Sequence, residues 1–258
     1  MKTLHVIKIG GAVLEDPELL EPFLDDFQAI NGPKILVHGG GNKASELSDK
    51  LQIDVKMVRG RRVTDSDSLD VALMVYAGLL NKKLVATLQG RGCNAVGLSG
   101  ADMNLIRAVK RPVGEIDYGL VGDVTAASVD TEKLELLLNG GVVPIFCALT
   151  HDGKGQMFNT NADSLASVLA RSMSGLRKVS LTFCFTLEGV LRDVEDPSSL
   201  IPTITSEDYE ALKQNGTIHE GMIPKMENAF AALEHGVQKV YIKKASQLLT
   251  DTGTTLTL

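Results

Sequence analysis

The sequence predicts an α/β fold, a mostly parallel sheet with helices on both faces, on three observations. Short β-branched apolar runs alternate with longer segments at helical spacing, two of those runs end in glycines that open a helix, and the composition is that of a globular chain. The first strand is Val6 to Ile9, followed by a helix over Pro17 to Ile30, a strand at Ile35 to Val37 and a helix over Asn42 to Leu51. The clearest helix starts at Thr64-Asp65-Ser66, whose oxygens can cap it, and carries Leu69, Ala72, Leu73, Tyr76, Leu80, Leu84 and Leu88 on one stripe. A strand follows at Ala95 to Leu98. Between 105 and 128 the pattern breaks around Gly114, Gly119 and Gly122, which suits β-hairpins folded over the sheet edge as a flap that would cover a ligand. Then come a helix over Asp130 to Asn139, a strand at Val142 to Cys147 and a helix over Asn161 to Ser174. The last elements are a strand at Val179 to Phe185, helices over Ser206 to Asn215 and Pro224 to His235, and a strand at Val237 to Ile242. The length of 258 residues fits one large α/β domain or a two-lobed body, and a candidate lobe boundary lies near Ser174-Gly175, dividing 1–174 from 175–258.

Composition narrows function. Lys plus Arg number 26 against 32 Asp plus Glu, so the formal net charge is −6 and no sequence-independent pull towards nucleic acid is expected. Any bound anion must be held by local positive features. Aromatic residues are 4% with no Trp, which disfavours base stacking on an aromatic platform. Cys93, Cys147 and Cys184 are odd in number and far apart, against a disulfide framework or thiolate zinc site and in keeping with a reducing cytoplasm. Met1 leads straight into strand-like sequence, and no window approaches 18 consecutive apolar residues, so neither secretion nor a membrane span is expected. The Asn215-Gly216-Thr217 sequon is then not a glycosylation site.

P-loop, dinucleotide-binding, zincin, nucleophile-elbow and protein-kinase motifs are all missing. What remains is two strand-to-glycine-to-helix junctions, Ile9-Gly10-Gly11 and His38-Gly39-Gly40-Gly41-Asn42. Glycines there let backbone N–H groups converge on an anion at the carboxyl edge of the sheet, although a lone Gly-Gly is also an ordinary tight turn. Lys8 interrupts an apolar run that should be buried; it either meets an anion or reaches solvent at the strand end. Lys225 follows Pro224 in the first turn of a helix, where the dipole disfavours a cation unless negative charge is near. Asn159-Thr160-Asn161-Ala162-Asp163 opens another helix; its plain reading is a cap with a dipole-favoured carboxylate, its functional reading an Asp163 that accepts from lysines and an Asn159 that holds a polar ligand group. Arg59, Arg61 and Arg62 form either a carboxylate clamp or a solvated basic loop. His38 abuts the glycine run and would order it; His5, His151, His219 and His235 show no metal spacing and no nucleophile partner.

V-I-K-I-G-G at 6–11, V-H-G-G-G at 37–41, R-V-T at 62–64, G-L-S-G-A-D at 97–102, N-T-N-A-D at 159–163 and G-M-I-P-K at 221–225 stand in the order found in the amino acid kinase family. The sequence resembles that family's acylglutamate branch over essentially its whole length. The resemblance implies an open three-layer α/β/α sandwich, with an N-terminal lobe that binds acyl-glutamate and dimerises and a C-terminal lobe that binds ATP. The implied reaction, in arginine biosynthesis, moves the γ-phosphoryl of ATP, with Mg²⁺, onto the γ-carboxylate of N-acetyl-L-glutamate. By motif position, Lys8 and Lys225 would stabilise the transferring phosphoryl group and Asp163 would hold the two lysines. Gly40, Gly41, Arg62 and Asn159 would bind the acylated substrate, and Gly10, Gly11 and Gly39 would cradle phosphate. Nucleotide contacts carry over to Thr186, Leu187, Glu188, Gly189, Val190 and Leu191 and to Thr217, Ile218 and His219. Thr186 departs from the pattern, standing where relatives usually have Asp. No protein metal site is implied. Because the first strand begins almost at Met1, the sequence is similar to the shorter, homodimeric, arginine-insensitive members. Three alternatives stand beside this: an N-succinyl substrate, whose extra carboxylate would need Arg59, Arg61 or Lys56; another member of the family, acting on carbamate, free glutamate, aspartate or UMP; and a non-catalytic sensor that binds ATP or an amino acid.

Overall fold

A computed structural model describes residues 2–218 and 221–258. In chain order the elements are β1 (Leu4–Ile9), α1 (Gly11–Glu15), α2 (Pro17–Ala29), β2 (Lys34–His38), α3 (Gly41–Lys50), β3 (Met57–Val58), β4 (Arg61–Arg62), α4 (Ser66–Ala72) and α5 (Asn81–Gly90). They continue through β5 (Ala95–Leu98), β6 (Val109–Lys110), β7 (Gly122–Asp123), α6 (Thr131–Asn139), β8 (Val143–Cys147), β9 (Leu149–His151), β10 (Met157–Asn159) and α7 (Ala162–Ser174). The chain ends with β11 (Val179–Phe185), β12 (Thr203–Ile204), α8 (Ser206–Gln214), α9 (Ile223–Glu234), β13 (Lys239–Lys244) and β14 (Thr254–Leu256).

Eight strands form one sheet in the order β12-β14-β13-β11-β1-β2-β8-β5, and every pair from β13 to β5 is parallel. Only β14 runs against its neighbour β13. The sheet is unbroken where the sequence places its lobe boundary: β1 pairs on one side with β2 and on the other with β11, so Lys8 lies between Val37 and Phe183. Alternation along β1 sends Val6 into a core with Phe183, Val240 and the inner faces of α7 and α9, and Ile7 and Ile9 into a second core with Phe23, Phe27, Leu36 and Leu88. Both sheet faces are therefore apolar, the condition for a parallel sheet.

The six strands and seven helices expected from sequence are present, most shifted by a residue or two. The last strand starts at Lys239 rather than Val237, because the Val237 N–H is still bonded back to the Ala232 carbonyl in the turn after α9. The short elements are additions: α1, the hairpins β3/β4 and β9/β10, and the strands β12 and β14 at one end of the sheet each span five residues or fewer, below the length at which periodicity speaks. The 105–128 segment holds one two-residue hairpin, β6/β7, and isolated bridges that tie it to Thr64 and to Asn159.

The long helix holds a larger difference. Ser66–Gly90 is continuous, but between α4 and α5 residues Leu73–Leu80 adopt wider π-type turns, which place Tyr76 and Leu80 against Gly40. A Cβ on Gly40 would stand 2.5 Å from Leu80 Cδ1 and 2.8 Å from the Tyr76 ring, so any other residue there must push those side chains aside. By length and composition Ser66–Gly90 is apolar enough to cross a bilayer; here Leu69, Val75, Tyr76, Leu84 and Leu88 are buried against the rest of the fold. Met74 and Leu79 remain exposed.

Candidate active site

Three functional side chains reach one point from three elements. Lys8 stands near the carboxyl end of β1, Asp163 in the first turn of α7, capped by Asn161, and Lys225 in the first turn of α9. The Lys8 ammonium lies 2.7 Å from Asp163 Oδ1 and the Lys225 ammonium 3.5 Å from Oδ2. Lys8 and Asp163 are both buried, so the pair is held by charge little screened by water. Burial works to raise the Asp163 carboxyl's pKa, but the two ammoniums, Lys8 foremost, outweigh it and hold it below the usual carboxylate value. One carboxylate between two cations leaves a net positive charge, which is what a bound anion needs.

Two adjoining cavities open from this point. The smaller, about 320 Å³, is lined by Lys8, Gly10, Gly11, Phe185, Thr186 and Lys225. The larger, about 460 Å³, takes Gly39, Gly40, Gly41, Arg62, Tyr76 and Asn159 among its walls, and the two share Gly11, Gly41, Asn42 and Lys225. The Arg62 guanidinium donates to the Gly41 carbonyl (2.9 Å) and to Ser45 Oγ (2.6 Å), oxygens that leave its charge unneutralised. Asn159 is held by donating from Nδ2 to Thr64 Oγ1 at 3.0 Å. His38 lies beneath the glycine loop, its Nδ1 2.8 Å from the Gly39 carbonyl and its Nε2 3.0 Å from Asn81 Nδ2. Burial pushes the imidazole pKa down to about 4, so the ring is neutral, donating to Gly39 and accepting from Asn81. The loop-ordering role expected of His38 is thus a pair of hydrogen bonds. Gly97 serves the same network, because a Cβ there would fall 1.8 Å from Asn81 Oδ1.

Most residues singled out in the sequence converge here: Lys8, Asp163, Lys225, Gly11, Gly39, Gly40, Gly41, Arg62 and Asn159. Gly10 lines the smaller cavity, but its N–H points to the Cys184 carbonyl at 3.4 Å and is not turned to a phosphate. The 186–191 segment divides. Thr186 faces the smaller cavity and Leu187 is exposed, while Glu188 pairs with Lys244 at 3.0 Å. Val190 and Leu191 are core side chains, and Gly189 is packed against Leu200 and Thr254. Ile218 is buried as well, Thr217 is partly exposed, and His219 lies outside the described residues. Contacts to a nucleotide from 189–191 would therefore come from backbone.

Of the basic residues near 60, Arg61 lines the larger cavity; Arg59 is turned to Glu115 at 2.9 Å, and Lys56 is not part of the wall. The flap contributes Arg111, which sequence analysis did not single out, because only the β6/β7 pairing carries it to the cavity. Arg111 is ion-paired with Asp123 and lies over the Tyr118 ring. Phe185 was missed too, since an aromatic at the end of an apolar strand reads as core. Cys147 and Cys184 are fully buried and burial pushes both thiols up to about 12, so neither serves as a nucleophile.

An open α/β sheet with glycine loops at its carboxyl edge and a lysine pair bridged by one carboxylate defines a protein built to handle a phosphoryl-sized anion. Residues 3–244 match the amino acid kinase family, and the chain belongs to that family. It is 51% identical over 251 residues to the acetylglutamate kinase of Bacteroides fragilis, covering 97% of this chain and 95% of that one. It is 42% identical over 255 residues to the acetylglutamate kinase of Methanopyrus kandleri, covering 97% and 99%. Among solved structures, the smu.665 protein of Streptococcus mutans superposes with a TM-score of 0.81 at 30% identity, covering 100% of this chain and 99% of that one. N-acetylglutamate synthase of Neisseria gonorrhoeae gives 0.82 at 25% identity, covering 99% of this chain and 59% of that one.

Proposed function

We propose that this protein transfers the γ-phosphoryl group of ATP to the γ-carboxylate of N-acetyl-L-glutamate, yielding ADP and N-acetyl-L-glutamyl 5-phosphate, a step of arginine biosynthesis carried out in the cytoplasm. The observation that carries the reading is Asp163 buried between Lys8 and Lys225 at the junction of two cavities of ligand size. A carboxylate is already a nucleophile and needs no general base. Its oxygen attacks the γ-phosphorus, the bond to the β,γ-bridging oxygen breaks, and ADP leaves with the electron pair. The task left to the protein is to bring two anions into line and to absorb charge on the equatorial phosphoryl oxygens. Lys8 and Lys225 absorb it, and Asp163 fixes their direction. The Gly39 to Gly41 loop at the start of α3 offers N–H groups to the same oxygens. Arg62 takes a carboxylate of the acylated glutamate, and Asn159 and Gly40 close round it. ATP enters from the side of β11, past Thr186, so that 1–174 holds the acylated substrate and 175–258 the nucleotide. Asp163 is the buried acid at the junction and is committed to two ammoniums, so Mg²⁺ would arrive on the triphosphate as part of the nucleotide substrate.

A second reading, the same transfer to N-succinyl-L-glutamate, is favoured by Arg61 and Arg111, two guanidiniums in the larger cavity besides Arg62. Among the described residues Arg61 has no ion-pair partner. The exposed Met74 and Leu79 on the long helix support a homodimer joined through the N-terminal lobe. The test is Mg²⁺-dependent ADP release with N-acetyl-L-glutamate, N-succinyl-L-glutamate and free L-glutamate side by side, with light scattering for the assembly. Turnover on the acetylated substrate supports the first reading, and turnover on the succinylated one the second, in which case Arg61→Ala raises KM for it. Silence on all three with ATP still bound overturns both in favour of a sensor or another kinase of the family.

A further inference from the structure

Both active-site ammoniums also meet an aromatic ring. The Lys8 and Lys225 nitrogens each lie over Phe185, 5.3 Å from its centroid. Phe183, two residues earlier on β11, is fully buried in the core, whereas Phe185 is partly exposed and lines the smaller cavity beside Thr186. Phe185 packs one side against the core that holds Phe183 and presents the rest of its ring to the cavity, so packing alone leaves its contact with both ammoniums unexplained.

We propose that Phe185 is a positioning residue for phosphoryl transfer, its ring face holding the Lys8 and Lys225 ammoniums at the cavity wall. This rests on the reaction proposed above. The two cations repel one another and share a single carboxylate, and beyond it only Lys225 has a further acceptor among the described residues, the Gly221 carbonyl at 3.3 Å, so a neutral group that attracts both helps to fix the pair. A second carboxylate would do so, but it would cancel the net positive charge and repel the triphosphate. The negative face of an aromatic ring attracts each ammonium while carrying no net charge, and the attraction grows as water is excluded. Phe185 therefore orders the lysine pair and leaves its charge available to the phosphoryl oxygens.

The test is a series at position 185: Phe185→Leu, Phe185→Tyr, and phenylalanines carrying one to three ring fluorines, which keep the shape and weaken the ring face stepwise. The expected result is a fall in kcat of about 5- to 30-fold for Phe185→Leu, with KM for ATP within about twofold. Phe185→Tyr restores most of the rate, and log kcat declines steadily with each fluorine. Three results overturn the proposal: full kcat in Phe185→Leu, a loss confined to KM for ATP, which would mark a base-stacking wall, or fluorinated variants as fast as the parent, which would mark a packing role. Parent turnover reports the reaction itself, so its failure is read separately. Thermal unfolding of Phe185→Leu, Lys225→Met and the double variant then decides the contact without catalysis: the Lys225→Met shift in Tm is smaller in the Leu background if the ring holds the lysine, and equal if it does not.

Discussion

On neighbouring strands the chain buries two lysines to the same degree, each 6% exposed, and treats them in opposite ways. Lys34 opens β2 at the amino edge of the sheet and donates to three carbonyls at the end of α2, Phe27 at 2.8 Å, Gln28 at 2.7 Å and Ile30 at 3.1 Å. An ammonium has three N–H groups, so Lys34 is fully committed. It caps a helix, where a cation meets the negative end of the dipole. Lys8 stands towards the carboxyl edge against a charge it shares with Lys225, beside a cavity. Burial alone says only that a lysine must have partners; their number and charge separate a structural lysine from one that waits for an anion.

The largest effect should come from Lys8→Met, which is expected to lower kcat by 10²–10³, about 2.7–4 kcal/mol of barrier, by analogy with the loss of one preorganised donor. Steady-state ADP release measures it, and a rate near the parent's would erase the distinction. Asp163→Asn removes the charge between two ammoniums and should destabilise by about 3 kcal/mol at neutral pH, read from urea unfolding. Because the folded carboxyl titrates below its unfolded value, this contribution is present above about pH 4 and is lost as pH falls through the folded pKa, so parent and variant should converge in acid. His38, at the far end of Lys34's own strand, supplies a contrast on the same scale. Its folded pKa of about 4 lies below the unfolded 6.5, so only the unfolded chain takes up a proton between those values, and stability should decline by on the order of 3 kcal/mol from pH 6.5 to 4. His38→Asn should flatten that slope. Lys34→Met is expected to cost about 1–3 kcal/mol of stability, from carbonyls left without a donor, and to leave kcat per folded molecule unchanged.

The same contrast explains what the sequence disclosed. Lys8 was legible because a charge inside an apolar run is an anomaly, and Lys225 because a cation at a helix start is one. Lys34 drew no attention at the edge of its strand, since a lysine flanking an apolar run looks solvated. The central strands and long helices follow from alternation and helical period over many residues. The hairpins, the π-type turns at Leu73–Leu80 and the arrival of Arg111 depend on pairings between distant segments, which leave no local period. Val190 and Leu191, offered by motif position as nucleotide contacts, are core, because a motif marks a segment and not the direction of each side chain.

The ladder between β1 and β11 joins the two halves of the chain, and it has a mechanical consequence. Lys8 and Phe185 sit on its two rails, so a bend of residues 1–174 against 175–258 about this ladder would turn the molecule about a fulcrum that contains them. Their separation would stay constant while the outer walls travelled, as the jaws of pliers move and the pivot does not. Ligand entry and product escape would then be displacements of the flap and of the Thr186 side, around a Lys8–Phe185 contact that the sheet has already set.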